Sequence, residues 1–264
     1  MNGDSFQNEM KKTYYCKTIK AFTDRFPNIS KYQQIIDKGE KDFFDIEKEL
    51  NITNKINNYF NIIKEFLLNN NNNTYDLKDD EEFNKISNKI YDFVMEKLYE
   101  KLLPKEPNPT DNLIFNQCQM LEWTEPKHFI TSKINYVFDS FLPDAIQYFE
   151  EIEKQKSPRQ KFIFMKKIFE SIYNMVKFSG GGDIGADDSL EILNYALIKS
   201  KPTHMYTNCK YMNLFIGNKK YQEEDIYLTQ LIAACEFVEK IRAEQLQGID
   251  EEIFLKKCNT FRKD

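Results

Sequence analysis

The residues of this sequence best placed to do chemistry are two adjacent carboxylates, Asp187 and Asp188, directly behind the glycine-rich segment Gly180-Gly181-Gly182-Asp183-Ile184-Gly185. Aspartate is favoured at a helix start, where its side chain accepts an unpaired backbone N–H, so both residues have a purely structural reading as caps. The functional reading is an anion held in front of an apolar packing unit. Gly180, Gly182 and Gly185 also satisfy G-x-G-x-x-G, but that fingerprint cradles a dinucleotide only when it follows a strand in a βαβ unit. A long amphipathic helical pattern precedes it here, so the segment reads instead as a flexible loop presenting Asp187. There is no C-x-x-C pair, and His128 and His204 lie far apart in sequence, so neither a metal site nor a cofactor is expected.

Three helices must position these carboxylates. The first begins at Asp187 and Asp188, points Leu190, Leu193, Leu197 and Ile198 inward, and ends at Pro202, which cannot extend the hydrogen-bond ladder and pushes Lys201 out of the α region. Thr207 is a plausible cap for the second, which carries Tyr211, Leu214 and Phe215, with Gly217 at the position of a C′ glycine. The third starts near Glu223 and presents Ile226, Ala233, Phe237 and Ile241 along one face. Leu190, Leu193, Leu197, Phe237 and Ile241 are expected in the core.

Composition bounds the rest. Charged residues make up 30% of the 264 residues, and Gly and Pro number only 8 each, which favours a helix-rich globular chain. A net charge of −5 argues against general nucleic-acid binding and gives no reason for attraction to an anionic membrane. The five cysteines, Cys16, Cys118, Cys209, Cys235 and Cys258, are odd in number and widely spaced, the pattern of reduced intracellular thiols. The amino terminus carries no signal-peptide core or myristoylation glycine, the carboxyl terminus no prenylation cysteine, and no apolar run approaches the ~20 residues that span a bilayer. A soluble, cytosolic, all-α protein is expected.

Read in order, residues 1–68 repeat helical spacings, including Ile56, Tyr59, Phe60 and Ile63, with Asn51 and Thr53 as caps. Asn69 to Asn73 is a run of five asparagines that reads as a surface loop. An amphipathic helix follows, with its stripe at Phe83, Ile86, Ile90, Phe93, Val94 and Leu98. Pro104, Pro107 and Pro109 mark a boundary. Beyond it come a short helix from Asp111 to Leu121, then Trp123 as an interior anchor, then an apolar helix from Phe129 to Glu150. Ser157-Pro158 opens a long helix bearing Phe162, Met165, Ile168, Phe169, Ile172 and Val176. Residues 249–261 suggest one last helix. The divisions are 1–105, an N-terminal helical bundle, 106–245, the unit around the carboxylates, and 246–264, a C-terminal helix.

Several of these stretches resemble one family. The run Gly185-Ala186-Asp187-Asp188 is followed by Leu197-Ile198-Lys199 before a proline, then Thr207-Asn208-x-x-Tyr211-Met212, then Glu223-Glu224-x-x-Tyr227-Leu228-Thr229-x-Leu231, and finally Ala234-x-Glu236-Phe237-Val238-Glu239. Upstream, residues 89–104 are similar to the helix joining a bundle to the exchange domain, residues 111–129 to a Leu-x-Trp-x-x-Pro-x-x-Leu segment with Phe129 in place of the last leucine, and residues 157–176 to a helix introduced by Thr/Ser-Pro-Arg-x-Lys. Together they resemble the vacuolar-protein-sorting-nine domain, the module of guanine nucleotide exchange factors for Rab-five-type GTPases.

The resemblance implies a bundle packed against a layered helical exchange domain, acting as a monomer on a nucleotide-free Rab-five-type GTPase. It would reach endosomal membranes only indirectly, in endocytic vesicle traffic, with no covalent chemistry, nucleic acid or cofactor. Such a factor binds the nucleotide-free GTPase more tightly than the loaded one, and linkage lowers nucleotide affinity by the same factor. Asp187 matches the aspartate finger, whose carboxylate repels phosphate and stabilises the lysine that phosphate leaves behind. Tyr227 and Thr229 match partner contacts, while Asn208 and Tyr211 match structural supports. Two positions depart from the pattern. Ile226 stands where the family has a tyrosine, and Tyr227 lies ~100° around the helix from it and cannot substitute. Glu191 stands where the family has a proline, four residues after the finger. These departures raise the alternative of a non-catalytic Rab-binding scaffold.

Overall fold

The computed structural model describes residues 51–69, 80–103, 107–129, 138–179, 186–215 and 222–261, together with Lys20, Phe22 and Asp24. Among the described residues every regular element is helical and none is a strand. The chain divides into two compact units, Met1–Glu106 and Pro107–Asp264. Most of the helices expected over residues 1–50, the asparagines at 70–73, the glycine segment 180–185 and Gly217 lie outside the described residues.

In the first unit, α1 (Ile52–Asn69) and α2 (Asp80–Leu102) are amphipathic helices. The first buries Ile52, Ile56, Phe60 and Ile63, the second Ile90, Val94, Met95, Leu98 and Leu102. Phe60 meets Tyr91 between them with ring centroids 4.7 Å apart, and Phe22 stacks on Tyr59 at 3.8 Å. Asn51, just ahead of α1, has φ 51, a left-handed conformation that asparagine tolerates.

The second unit contains α3 (Pro109–Met120), a 3-10 turn η1 (Pro126–His128), α4 (Phe138–Lys154), α5 (Pro158–Phe178), α6 (Ala186–Ser200), α7 (Met205–Phe215), α8 (Gln222–Lys240), η2 (Ala243–Gln245) and α9 (Glu251–Phe261). Local chemistry sets many of these limits. Asn108 caps α3 by accepting the N–H of Asp111 at 2.9 Å, and Pro109 takes the first helical turn, where its missing N–H costs nothing. Ser157 in extended conformation with Pro158 behind it opens α5 as expected. Asp250 accepts the N–H of Ile253 at the start of α9, after a turn in which Gly248 takes φ 68. Phe129 closes the turn at η1 and is not helical, while α4 covers Phe138–Lys154; residues 130–137, over which the same helix is expected, lie outside the described residues.

Helix α6 runs through the middle of this unit. Residues 192–198 are buried without exception, and the helix packs against α3, α4, α5 and α8. An enclosed helix must be largely apolar all round, which Ile192, Leu193, Tyr195, Ala196, Leu197 and Ile198 supply, with Asn194 the one polar side chain in the buried stretch 192–198. Leu193, Leu197 and Ile198 fall in the core as expected, with Leu190 half-buried against it. Antiparallel to one another, α4 and α5 form the largest pairing around this centre, burying Phe149 and Ile152 against Met165, Ile168 and Ile172.

Candidate functional site

Helix α6 begins at Ala186, so Asp187 and Asp188 are its second and third residues and lie inside the first turn, not ahead of it as caps. A carboxylate in a first turn faces the positive end of the helix dipole and is stabilised there. The far end of the same helix is clamped. Lys199 donates from Nζ to the carbonyls of Glu122 and Thr124, the latter at 2.7 Å, and lies over the Tyr195 ring at 5.2 Å. Lys201 pairs with the Glu122 carboxylate and takes a left-handed φ of 46 directly before Pro202, which stops the helix. The buried stretch 192–198 and the clamp at Lys199 and Lys201 anchor the middle and far end of α6, the helix whose first turn carries Asp187. Glu191, one turn further on, is half-buried.

The residues expected to meet a partner lie in the first two turns of α8, which packs against α6. Ile226 is 54% exposed. The face expected for this helix is therefore corrected: its buried stripe is Leu228, Leu231, Ala234, Cys235 and Val238, with Ile226 outside it and Phe237 only half-buried. So many residues of α8 are apolar that periodicity alone admits several faces, and the neighbours choose.

Tyr227 is half-buried, with its ring flat on that of Phe169 from α5, centroids 4.3 Å apart and 13° from parallel. Burial, and then the nearby Glu223 carboxylate, hold its phenol above the usual tyrosine range, so it stays a neutral donor. One turn earlier, Lys166 and Glu223 form an ion pair at 3.5 Å between the same two helices. Thr229 is exposed, and its hydroxyl donates to the Asp225 carbonyl at 2.7 Å, the bond of a helical threonine with its own preceding turn. Thus Ile226 and Tyr227 offer an apolar side chain and a phenol, while the threonine hydroxyl is already donating.

Helix α7 supplies the support behind this region, by means the sequence did not reveal. Thr207 is no cap: it is the third residue of α7, and its N–H and hydroxyl both donate to the Asp111 carboxylate of α3. Asn108 completes the group by donating to the Thr207 hydroxyl oxygen at 2.8 Å. The Glu153 carboxylate at the end of α4 accepts the His204 N–H and the Thr203 hydroxyl just ahead of the same helix. Two distant acids thus accept one backbone N–H each at the same helix start. Tyr211 is fully buried and donates to the Lys156 carbonyl at 3.1 Å, and Asn208 is buried beside it in the sequence motif.

Lys161 of the Ser-Pro-Arg-x-Lys stretch is also fully buried and donates to the Ile152 carbonyl at 2.6 Å. Burial pushes its ammonium down to about 7. Trp123 is half-buried on the core, with His128 beside its ring and the Lys257 ammonium 5.8 Å from its centroid. Cys118, Cys209, Cys235 and Cys258 are buried thiols that form no disulfide among the described residues. Among the described residues no three His, Cys, Asp or Glu side chains converge as a metal site, and no helix is long and apolar enough to cross a membrane.

Residues 142–243 match the vacuolar sorting protein 9 (VPS9) domain family. The chain is 27% identical over 180 residues to a Rab5 GDP/GTP exchange factor of Bos taurus and to one of Homo sapiens, covering 65% of this chain and 36% of each relative. It is 24% identical over 191 residues to vacuolar protein sorting-associated protein 9A of Oryza sativa subsp. japonica, covering 70% of this chain and 40% of that one. The chain therefore spans well under half the length of these relatives.

Proposed function

We propose that the protein is a guanine nucleotide exchange factor for a Rab5-type small GTPase, a reading supported by the match of residues 142–243 to the vacuolar sorting protein 9 domain family. The observation that carries the proposal is the place of Asp187 in the first turn of α6, whose residues 192–198 are all buried. Displacing a tightly held nucleotide needs an anion that does not yield when phosphate and Mg²⁺ compete with it, and a central, clamped helix provides such a base. Asp187 acts as the finger toward the phosphate-binding lysine. Ile226, Tyr227, Thr229 and Glu191 meet the GTPase around it. The factor makes no covalent bond: it binds the nucleotide-free state preferentially and so lowers affinity for GDP. It works as a monomer in the cytoplasm, is drawn to endosomal membranes through its partners, and serves endocytic traffic. The divisions at 1–105, 106–245 and 246–264 belong to the same proposal.

The exposed Ile226 supports a second reading, a Rab-binding scaffold that keeps the fold without turnover. Release of fluorescent GDP from a panel of Rab5-type GTPases separates the two. An exchange factor accelerates release from at least one member, and Asp187→Ala slows that release roughly a hundredfold, as expected when a preorganised charge is removed from a water-poor site. Tight binding to a nucleotide-free member with no acceleration establishes the scaffold instead.

A further inference from the structure

We propose that Phe169 is a positioning residue for the GTPase: its ring fixes Tyr227 in the orientation that presents the tyrosine hydroxyl to the partner. The inference rests on the function proposed above and adds to it a side chain from another helix. Phe169 is 6% exposed, so it is not itself available for contact. What it touches is. The Tyr227 ring lies on it at 4.3 Å and 13°, and the tyrosine hydroxyl makes no hydrogen bond among the described residues.

A tyrosine near a helix surface ordinarily samples several rotamers, and a hydrogen bond made from it must first meet the cost of choosing one. Flat contact with a ring that cannot itself move removes that choice before the partner arrives. Among the described residues these turns are also linked by the Lys166–Glu223 pair at 3.5 Å, whose partners are 47% and 67% exposed, too solvated to orient a side chain. The stack therefore sets the orientation. Thr229 makes the contrast: its hydroxyl donates to its own helix, whereas that of Tyr227 is kept for something outside it.

The test is a double-mutant cycle on release of fluorescent GDP from the Rab5-type GTPase that wild type acts on, using Phe169→Leu, Tyr227→Phe and the pair. The expectation is that each single change lowers kcat/KM about tenfold and that the pair is no worse than the worse single, because Phe169 acts through the hydroxyl that Tyr227→Phe already lacks. Phe169→Tyr, which keeps a ring in place, restores most of the loss. If Phe169→Leu is poorly folded by thermal melt, Phe169→Met serves in its place, filling the space without a ring. Multiplicative losses, or an unchanged rate in Phe169→Leu, overturn the positioning role while leaving the exchange function standing. A wild-type protein that releases GDP from no member of the panel overturns both.

Discussion

The carboxylate of Asp111 accepts both the N–H and the hydroxyl of Thr207, a residue 96 positions away in the first turn of α7. One acid thereby joins α3 to α7 and accepts an N–H of the first turn of α7. Burial pushes the Asp111 carboxyl up from its ordinary value, against the pull of the Thr207 hydrogen bonds. Asp111→Ala leaves the Thr207 N–H buried with no acceptor and is expected to cost roughly 2–4 kcal/mol by urea unfolding. Asp111→Asn keeps an acceptor and carries no charge, so it is expected to cost less.

The same group predicts a pH dependence. A carboxyl whose folded value is raised holds its proton longer in the folded protein, so stability is lost as pH rises through the window between the unfolded and folded values. Asp111→Asn lacks that titration. The stability gap between wild type and Asp111→Asn should therefore move against wild type as pH climbs from about 4 toward neutrality, read from urea midpoints. A gap that stays constant would show that the carboxylate is ionised at no cost.

Lys161 titrates in the opposite sense. Its ammonium is pushed from 10.5 down to about 7 by burial, so the folded protein gives up a proton that the unfolded chain retains. Stability contributed by this group rises with pH between about 7 and 10.5, and the cost of the charge is fully present below that window. Lys161→Met removes the dependence. Urea midpoints at pH 6.5 and 9 should differ more for wild type than for the variant.

Ile226 offers a test of the surface without disturbing the fold. At 54% exposure it supports no core, so Ile226→Tyr is expected to change stability by less than about 0.5 kcal/mol. If this position faces the GTPase, the added phenol changes kcat/KM for GDP release by roughly tenfold, about the worth of one good interfacial hydrogen bond. An unchanged rate would place Ile226 outside the interface.

Thr229 separates a contact from a helical bond. Thr229→Val removes the hydroxyl that donates to Asp225 while keeping the branched shape, and Thr229→Ser does the reverse. Helical self-bonding alone predicts near-identical exchange rates for both. A partner contact through the hydroxyl predicts that Thr229→Ser retains activity and Thr229→Val loses several-fold, since that oxygen can still accept a bond while donating to its own turn.

The all-α class, and most of the helices among the described residues, followed from the sequence alone. Helical order arises from bonds between residues four apart, so periodic apolar stripes, Ser157-Pro158 at one start and Pro202 beyond one end carry the information locally. Asp187 was singled out by its neighbours along the chain, and its role belongs to the proposal. Tertiary structure alone decided which side of α8 would be buried, because Ile226, Tyr227, Leu228, Leu231, Ile232 and Phe237 make that helix apolar on more than one side. It alone brought Phe169 under Tyr227, placed a buried lysine on the Ile152 carbonyl, and gave α7 its N–H acceptors from Asp111 and Glu153. Each of these joins residues from separate helices or helix ends, and no spacing within one helix encodes which neighbour it will meet. That choice was made when the surrounding helices closed around α6.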